Sequence, residues 1–158
     1  SYKDLNKFSK LASIKNWRKK LSDLYEGDEL KIDGKKWKTV EHYINANKFK
    51  NGFPSFYNQF SLDSFSTISK NPYLAKAAGN KKGKYKNMQV RPTHIVIDDN
   101  YGTKLPEYLH KAYYIKFIQN PELKELLKST EKSKLMKYKR GNKPELALEL
   151  MKIRKLIR

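Results

Sequence analysis

Alternating apolar and polar positions in the first third of the chain predict a β-hairpin that runs into a helix. Residues 29–40 carry apolar side chains on either side of Asp33-Gly34, a dipeptide that favours a tight two-residue turn. Thr39 has a side chain suited to capping a helix N-terminus, and apolar residues then recur at helical spacing. We therefore expect a helix from Thr39 to about Lys50, after which a glycine and a proline end it.

Further along the chain, caps and apolar spacing predict several helices and one more extended segment. Asn71-Pro72 and Asn120-Pro121 each join a capping side chain to proline at the first helical position, so each indicates a helix start. The predicted segments are a short helix over 61–69, a helix from 71 that Gly79 ends in the left-handed conformation, a lysine-rich loop over 80–89, a strand over 93–97, a turn over 98–102, and helices over 105–119, from 120 and over 143–158.

No repeat and no long linker divides the chain, so we interpret residues 1–158 as a single domain. Because helices outnumber strands in the pattern, the expected fold class is α+β, mainly helical with a small β-sheet or hairpin. Residues 1–21 are expected to form a basic N-terminal segment, and residues 80–104 a variable basic loop and strand. Hydrophobic residues make up 38% of the chain, which is enough for a packed core and excludes a disordered composition.

Positive charge is the strongest feature of the composition. The chain has 35 Lys and Arg residues against 16 Asp and Glu residues, a formal net charge of +19 at pH 7. The basic residues are grouped in four clusters, Lys15 to Lys20, Lys76 to Lys86, Lys132 to Lys143, and Lys152 to Arg158. Because such an excess attracts polyanions, we expect contact with DNA or RNA through the Lys/Arg clusters. High lysine content is also typical of proteins from AT-rich genomes or large viruses, in which it serves solubility alone.

The sequence also excludes several kinds of site. The absence of cysteine rules out disulfides, thiolate metal sites and a cysteine nucleophile. Three histidines, His42, His94 and His110, have no metal-ligand spacing, and no glycine-rich phosphate loop is present, so we expect neither a metal nor a cofactor. No apolar stretch approaches the ~20 residues of a membrane helix, so no membrane partner is predicted. We expect an intracellular protein of the cytoplasm or nucleus.

The helix after the hairpin carries the main candidate chemistry. At helical spacing Glu41, Asn45 and Lys48 project in nearly one direction, while the apolar residues between them can face the core. A carboxylate and an amine on one face can bracket a small ligand, with Asn45 in contact with the same ligand. The carboxylate can activate water or stabilise a cationic, sugar-like transition state, and the amine can bind phosphate or attack an opened sugar aldehyde. A solvated polar helix face is the alternative interpretation.

Longer stretches of the chain resemble a known family. Residues 21–27 and 31–49 resemble the signature of the NADAR (YbiA-like) family, which combines a Leu-Ser-Asn-Phe-Tyr element, an Ile-Asp-Gly hairpin and a Glu-His-Tyr…Ala-x-Lys-Phe helix. The small-residue turn at 75–79, the helices around Tyr114–Phe117 and Asn120–Thr130, and the closing segment Leu150–Arg154 are also similar to that family, in the same order. The resemblance implies a NADAR-like fold over residues 1–158.

The resemblance implies an N-glycosidase, which cleaves the bond between ribose and a base-like nitrogen. Family substrates include riboflavin-pathway intermediates and ADP-ribose attached to guanine in nucleic acid, so a nucleotide or ADP-ribosyl group is the implied partner. On this basis Glu41 would be the catalytic carboxylate and Lys48 the active-site amine. Asp23 and Tyr25 would line the pocket, and the stretch from Lys76 to Lys82 would lie near a phosphate.

One part of the family pattern is missing. The family has an Asp…Trp-Gly loop between its last two helices, and its tryptophan is expected to stack on the substrate, whereas the interval Lys134–Lys143 is short and basic and lacks both residues. Tyr138 is the candidate replacement for that ring, and Asp23 stands where the family has asparagine. Two functions therefore stay open: an N-glycosidase-type hydrolase, or a catalytically degenerate module of the same fold that binds DNA or RNA through its basic surface.

Overall fold

The computed structural model describes residues 8–138 and 141–158. Its helices are α1 (Ser9–Ser13), α2 (Trp17–Leu21), α3 (Val40–Ala46), α4 (Pro54–Gln59), α5 (Thr67–Lys70), α6 (Pro72–Ala78), α7 (Tyr101–Ile118), α8 (Pro121–Ser129) and α9 (Leu148–Leu156), with a 3-10 turn over Leu62–Ser64. Its strands are β1 (Leu30–Ile32), β2 (Lys35–Trp37), β3 (Lys84–Tyr85), β4 (Met88–Gln89), β5 (Met136–Lys137) and β6 (Glu145–Leu146), which form three antiparallel hairpins. This mixture confirms the α+β class. No helix in the described part of the chain is long and apolar enough to cross a bilayer.

The first hairpin forms where it was predicted, because its turn residues tolerate a left-handed backbone. Asp33 and Gly34 have φ angles of 54° and 74°, as a type I′ turn requires, and the register pairs Leu30 with Trp37. Trp37 is fully buried, and its Nε1 donates a hydrogen bond to the carbonyl oxygen of Ile32 at 3.0 Å. The indole therefore ties the hairpin to the hydrophobic core.

Helix α7 is the central element of the fold. It contacts α3, α8, α9 and β1, while α3 also packs on α6. The predicted apolar face of α7 is confirmed, since Leu109, Ala112, Tyr113 and Phe117 are all buried. Because α3 packs on both α6 and α7, residues of the loop before β1, of α3, of the end of α6 and of the start of α7 meet in one polar cluster. This cluster, the polar pocket, consists of Asp23, Glu41, Asn45, Lys48 and Tyr101.

Two predictions around α3 and α6 were wrong in detail. Helix α3 ends at Ala46 rather than near Lys50, because the chain tightens into a turn in which the backbone nitrogen of Lys48 bonds to the carbonyl oxygen of Asn45. Gly79 has a φ of −91°, so it is not left-handed. Its missing side chain serves close packing instead, because a Cβ there would lie 1.9 Å from Oδ1 of Asn45.

The basic segment after α6 is more regular than predicted. Residues 80–89, expected as a loop, contain the hairpin β3–β4, whose turn holds Lys86 at a φ of 55°. The strand expected over 93–97 is absent: these residues are irregular, and only Ile95 among them is buried. Residues that favour strands form one only beside a partner strand, and no strand pairs with this part of the described chain.

Helix α7 and the segment before α6 also differ from the prediction. Helix α7 begins at Tyr101 instead of 105. The prediction missed its first turn because Gly102 and Pro106 are residues with low helix propensity. The segment 61–69 forms a 3-10 turn followed by the start of α5, not one helix. The break is at Phe65, whose φ of 58° is incompatible with a continuous helix.

The last helix is shorter than the predicted range 143–158. Helix α9 begins at Leu148, because residues 145–146 pair with β5 as strand β6. Leu146 is consequently 44% exposed. Leu146 has the same helical spacing as the apolar residues of α9, so the sequence pattern extended the predicted helix into β6. The pattern does not show that β5 lies beside this segment.

Candidate functional site

In the Glu-His-Tyr block of α3, His42 and Tyr43 are buried in the core, whereas Glu41 belongs to the polar pocket. Thr39 caps the helix by accepting a hydrogen bond from the backbone nitrogen of His42 at 3.2 Å. The buried His42 ring lies 2.8 Å from Thr39 Oγ1 and 2.7 Å from the carbonyl oxygen of Ile68, and burial lowers its pKa to about 4. His42 is therefore a neutral structural residue, and with the buried Tyr43 it orients the helix so that Glu41 lies in the pocket.

Glu41 is a partly buried side chain whose carboxyl group has a raised pKa. Burial is the main cause, and the charge of Asp23 adds to it, whereas the hydrogen bond from Asn45 and the charges of Lys76 and Lys48 lower the pKa. Asn45 Nδ2 donates hydrogen bonds to Oε1 and to the carbonyl oxygen of Glu41, each at 2.8 Å. A carboxylate in this environment is a stronger base than an exposed one and is held in one orientation.

Lys48 reaches the same pocket from the turn that follows α3. Its Nζ donates a hydrogen bond to the carbonyl oxygen of Gly79 at 2.8 Å and lies 5.3 Å from the centre of the Tyr101 ring. Asn45 packs against Gly79 as well. The folded chain therefore brings Glu41, Asn45 and Lys48 together at the C-terminal end of α6. Lys48 reaches this group from the turn after α3 and not from the helical position that was predicted, and the role of the three residues in chemistry stays a prediction.

Asp23 borders the pocket from the loop before β1. Its carbonyl oxygen accepts a hydrogen bond from the backbone nitrogen of Glu41 at 2.9 Å. Its carboxylate accepts one from Tyr113 Oη at 2.7 Å and one from Lys137 Nζ at 3.1 Å. Lys137 belongs to β5, so the strand contributes a cation to the pocket.

Tyr25 lies beside a buried lysine. The Lys116 Nζ is 5.6 Å from the centre of the Tyr25 ring and donates a hydrogen bond to the carbonyl oxygen of Ser22 at 2.7 Å. Burial lowers the pKa of Lys116 to about 8, although the charge of Asp23 raises it. Tyr25 and Lys116 also line a narrow crevice with residues of β1 and α8, among them Leu30. Tyr25 thus covers the lysine that supports the Ser22-Asp23 loop.

The remaining predicted residues lie at the surface. Lys76 is exposed on α6, from where its charge acts on Glu41, and Lys82 is exposed just before β3. Tyr138, the candidate for the missing ring, is 77% exposed. Residues 139–140 of the third basic cluster lie outside the described residues. Within the described ranges, no group of three or more His, Asp or Glu side chains is placed to hold a metal ion.

Arg91 was not predicted, yet it shapes this region. Its buried guanidinium donates hydrogen bonds to the carbonyl oxygens of Ala78, Asn80 and Lys81 at 2.8, 2.7 and 3.2 Å. These bonds fix the backbone on both sides of Gly79, whose carbonyl oxygen accepts the hydrogen bond from Lys48. A single arginine in an irregular segment carries no sequence signal, and its partners lie ten or more residues earlier.

Replacing Asp23 by asparagine is expected to lower the pKa of Glu41. The charge of Asp23 destabilises the ionised form of Glu41, so removing it favours ionisation at lower pH. The titration of the Glu41 side-chain carbon, followed by carbon-13 NMR, will measure the change. Glu107→Gln removes an exposed carboxylate elsewhere on α7 and is the matched control. A pKa in Asp23→Asn that equals or exceeds that of the native chain would contradict the assignment of Asp23 as a pocket charge.

Comparison with known proteins supports the fold. No family model matches the chain, and no curated protein matches it. The NMR structure of the E. coli protein YbiA is similar, with a TM-score of 0.61 and 22% sequence identity over 87% of this chain and 77% of that one. The overall fold of the chain is therefore similar to that of YbiA.

Proposed function

We propose that this chain is an N-glycosidase-type hydrolase of the NADAR family, cleaving the bond between ribose and a base-like nitrogen in a nucleotide or an ADP-ribosyl group. The observation that carries the proposal is the partly buried Glu41, which accepts a hydrogen bond from Asn45, has a raised pKa and lies in the electrostatic field of Lys48. The similarity of the fold to YbiA, together with the matching Glu-His-Tyr helix, supports the same conclusion.

Each pocket residue has a chemical role in this reaction. As the glycosidic bond breaks, its electron pair leaves with the nitrogen and positive charge develops on the sugar. The Glu41 carboxylate stabilises that positive charge and takes a proton from the water whose oxygen bonds to the sugar carbon. The departing nitrogen takes up this proton, so the products are the free base and the sugar hydroxyl. Asn45 holds the carboxylate in place. Lys48, fixed by the Gly79 carbonyl, binds an anionic part of the substrate or, in its neutral form, attacks the opened sugar aldehyde.

The hydrolase is tested by incubating the native chain with DNA that carries ADP-ribosylated guanine and with ribosylamines of the riboflavin pathway. Free ADP-ribose or ribose phosphate, quantified by liquid chromatography, is the expected product. Both substrates contain the ribose–nitrogen bond, so the comparison also shows which leaving group the pocket accepts. A folded native chain that releases nothing from either substrate would rule out the proposal for these substrate classes.

A binding module for DNA or RNA is the second candidate function, because exposed lysines follow in the chain on the segment that ends with Gly79. Lys82, Lys84 and Lys86 are exposed on and before the hairpin β3–β4, which follows directly on the segment fastened by Arg91. Phosphate contacts release counterions, so the affinity would fall steeply with salt. A fluorescence anisotropy titration of a DNA oligonucleotide at several salt concentrations tests this, and salt-independent or absent binding would argue against it.

A further inference from the structure

Tyr101, the first residue of α7, belongs to the polar pocket, although no sequence motif predicted it. Its ring centre lies 5.3 Å from the Lys48 Nζ. On the same helix, the ring of Tyr108 lies nearly parallel to it, with the centroids 5.9 Å apart and the planes 20° apart. Tyr108 in turn contacts the buried Tyr43 edge-on at 6.1 Å. The Tyr101 ring is therefore held between a cation and a ring that is anchored in the core.

The hydroxyl of Tyr101 lies in the field of the pocket carboxylates. Burial is the main cause that raises its pKa, followed by the charges of Glu41, Tyr108 and Asp23. The hydroxyl therefore keeps its proton throughout the neutral range and is a hydrogen-bond donor. Tyr101 is partly exposed, and among residues 8–138 and 141–158 its hydroxyl has no hydrogen-bond partner. The hydroxyl is therefore free to donate a hydrogen bond to a ligand bound beside Glu41 and Lys48.

We propose that Tyr101 binds the substrate, its hydroxyl donating a hydrogen bond to the ribose or the phosphate next to Glu41 and Lys48. This inference rests on the proposed hydrolase function and names a binding residue for it.

The inference makes a specific prediction for Tyr101→Phe, which keeps the ring between Lys48 and Tyr108 and removes only the hydroxyl. A hydrogen bond of this kind contributes about 1 kcal/mol, so the Kd for ADP-ribose is expected to rise about 3- to 10-fold. Isothermal titration calorimetry with ADP-ribose measures binding without turnover. Thermal unfolding is expected to stay unchanged, because no bond within the described chain is lost.

Tyr108→Phe is the matched control, since it removes a hydroxyl from the ring behind Tyr101. It is expected to bind ADP-ribose like the native chain. The inference is overturned if Tyr101→Phe binds as tightly as the native chain, if Tyr108→Phe weakens binding equally, or if the native chain does not bind ADP-ribose and the KM for hydrolysis is the same in both variants. If Tyr101→Phe hydrolyses the substrate with the native rate and KM, the proposed function is retained and the role of Tyr101 is rejected. Binding that depends on Tyr101 without any hydrolysis would leave only the binding site.

Discussion

The Glu41→Gln variant is expected to lose about 10²- to 10⁴-fold in turnover while remaining folded, because a positioned carboxylate that accepts a proton in the transition state contributes a factor of this size. The amide has nearly the same shape, and its oxygen can still accept the hydrogen bond from Asn45. The substitution also removes a partly buried negative charge that is repelled by the charge of Asp23. The melting temperature should therefore equal or exceed that of the native chain.

The comparison requires kcat and KM for product release from the native chain, Glu41→Gln and the control Glu107→Gln. Glu107 is exposed, so its substitution changes the net charge equally without touching the pocket. A loss confined to Glu41→Gln, with KM nearly unchanged, assigns the carboxylate to the chemical step. Turnover by Glu41→Gln within a factor of a few of the native rate would remove Glu41 from the mechanism.

Replacing Gly79 by alanine is expected to cost about 1–3 kcal/mol of stability and most of the activity, because the new methyl group overpacks the pocket. The added Cβ would lie 1.9 Å from Oδ1, 2.6 Å from Cγ and 2.9 Å from Cβ of Asn45. Asn45 is buried and holds Glu41, so its displacement moves the carboxylate as well. Backbone strain plays no part, because the φ of Gly79 suits any residue.

Gly102→Ala is the matched control, and its expected effect on stability is opposite to that of Gly79→Ala. Gly102 lies in the first turn of α7, and a Cβ there would meet nothing within 4 Å. Alanine favours a helix over glycine by up to about 1 kcal/mol, so this variant should be slightly more stable. Urea unfolding and turnover measured on both variants separate the two effects. A Gly79→Ala chain that is as stable and active as the native one would show that Asn45 can move without consequence.

Most local features of the fold could be predicted from the sequence. The turn at Asp33-Gly34 and the helix caps at Thr39, Asn71 and Asn120 form as expected. In each cap the side chain accepts a hydrogen bond from a backbone nitrogen two or three residues ahead, so the whole interaction is contained in a short stretch. The grouping of Glu41 with Asn45 was predictable for the same reason, since both lie one turn apart on α3.

The errors of prediction share a physical cause. The extended segment 93–97 has suitable residues but no neighbouring strand, and the segment 145–146 has helical spacing but pairs with β5. In both places the outcome depends on what lies alongside in space. Gly79 was correctly placed at the end of a helix but for the wrong reason, because its close neighbour Asn45 belongs to another helix.

The amino-acid pattern thus determines the helices, the first hairpin and the polar face of α3, because these depend on contacts between near neighbours in the chain. The pocket around that face depends on long-range contacts. Asp23 meets Lys137 across 114 positions, and Lys48 meets Gly79 across 31. No spacing rule connects such residues. They come together because burial of the apolar faces of α3, α6 and α7 brings three separate stretches of chain around one carboxylate.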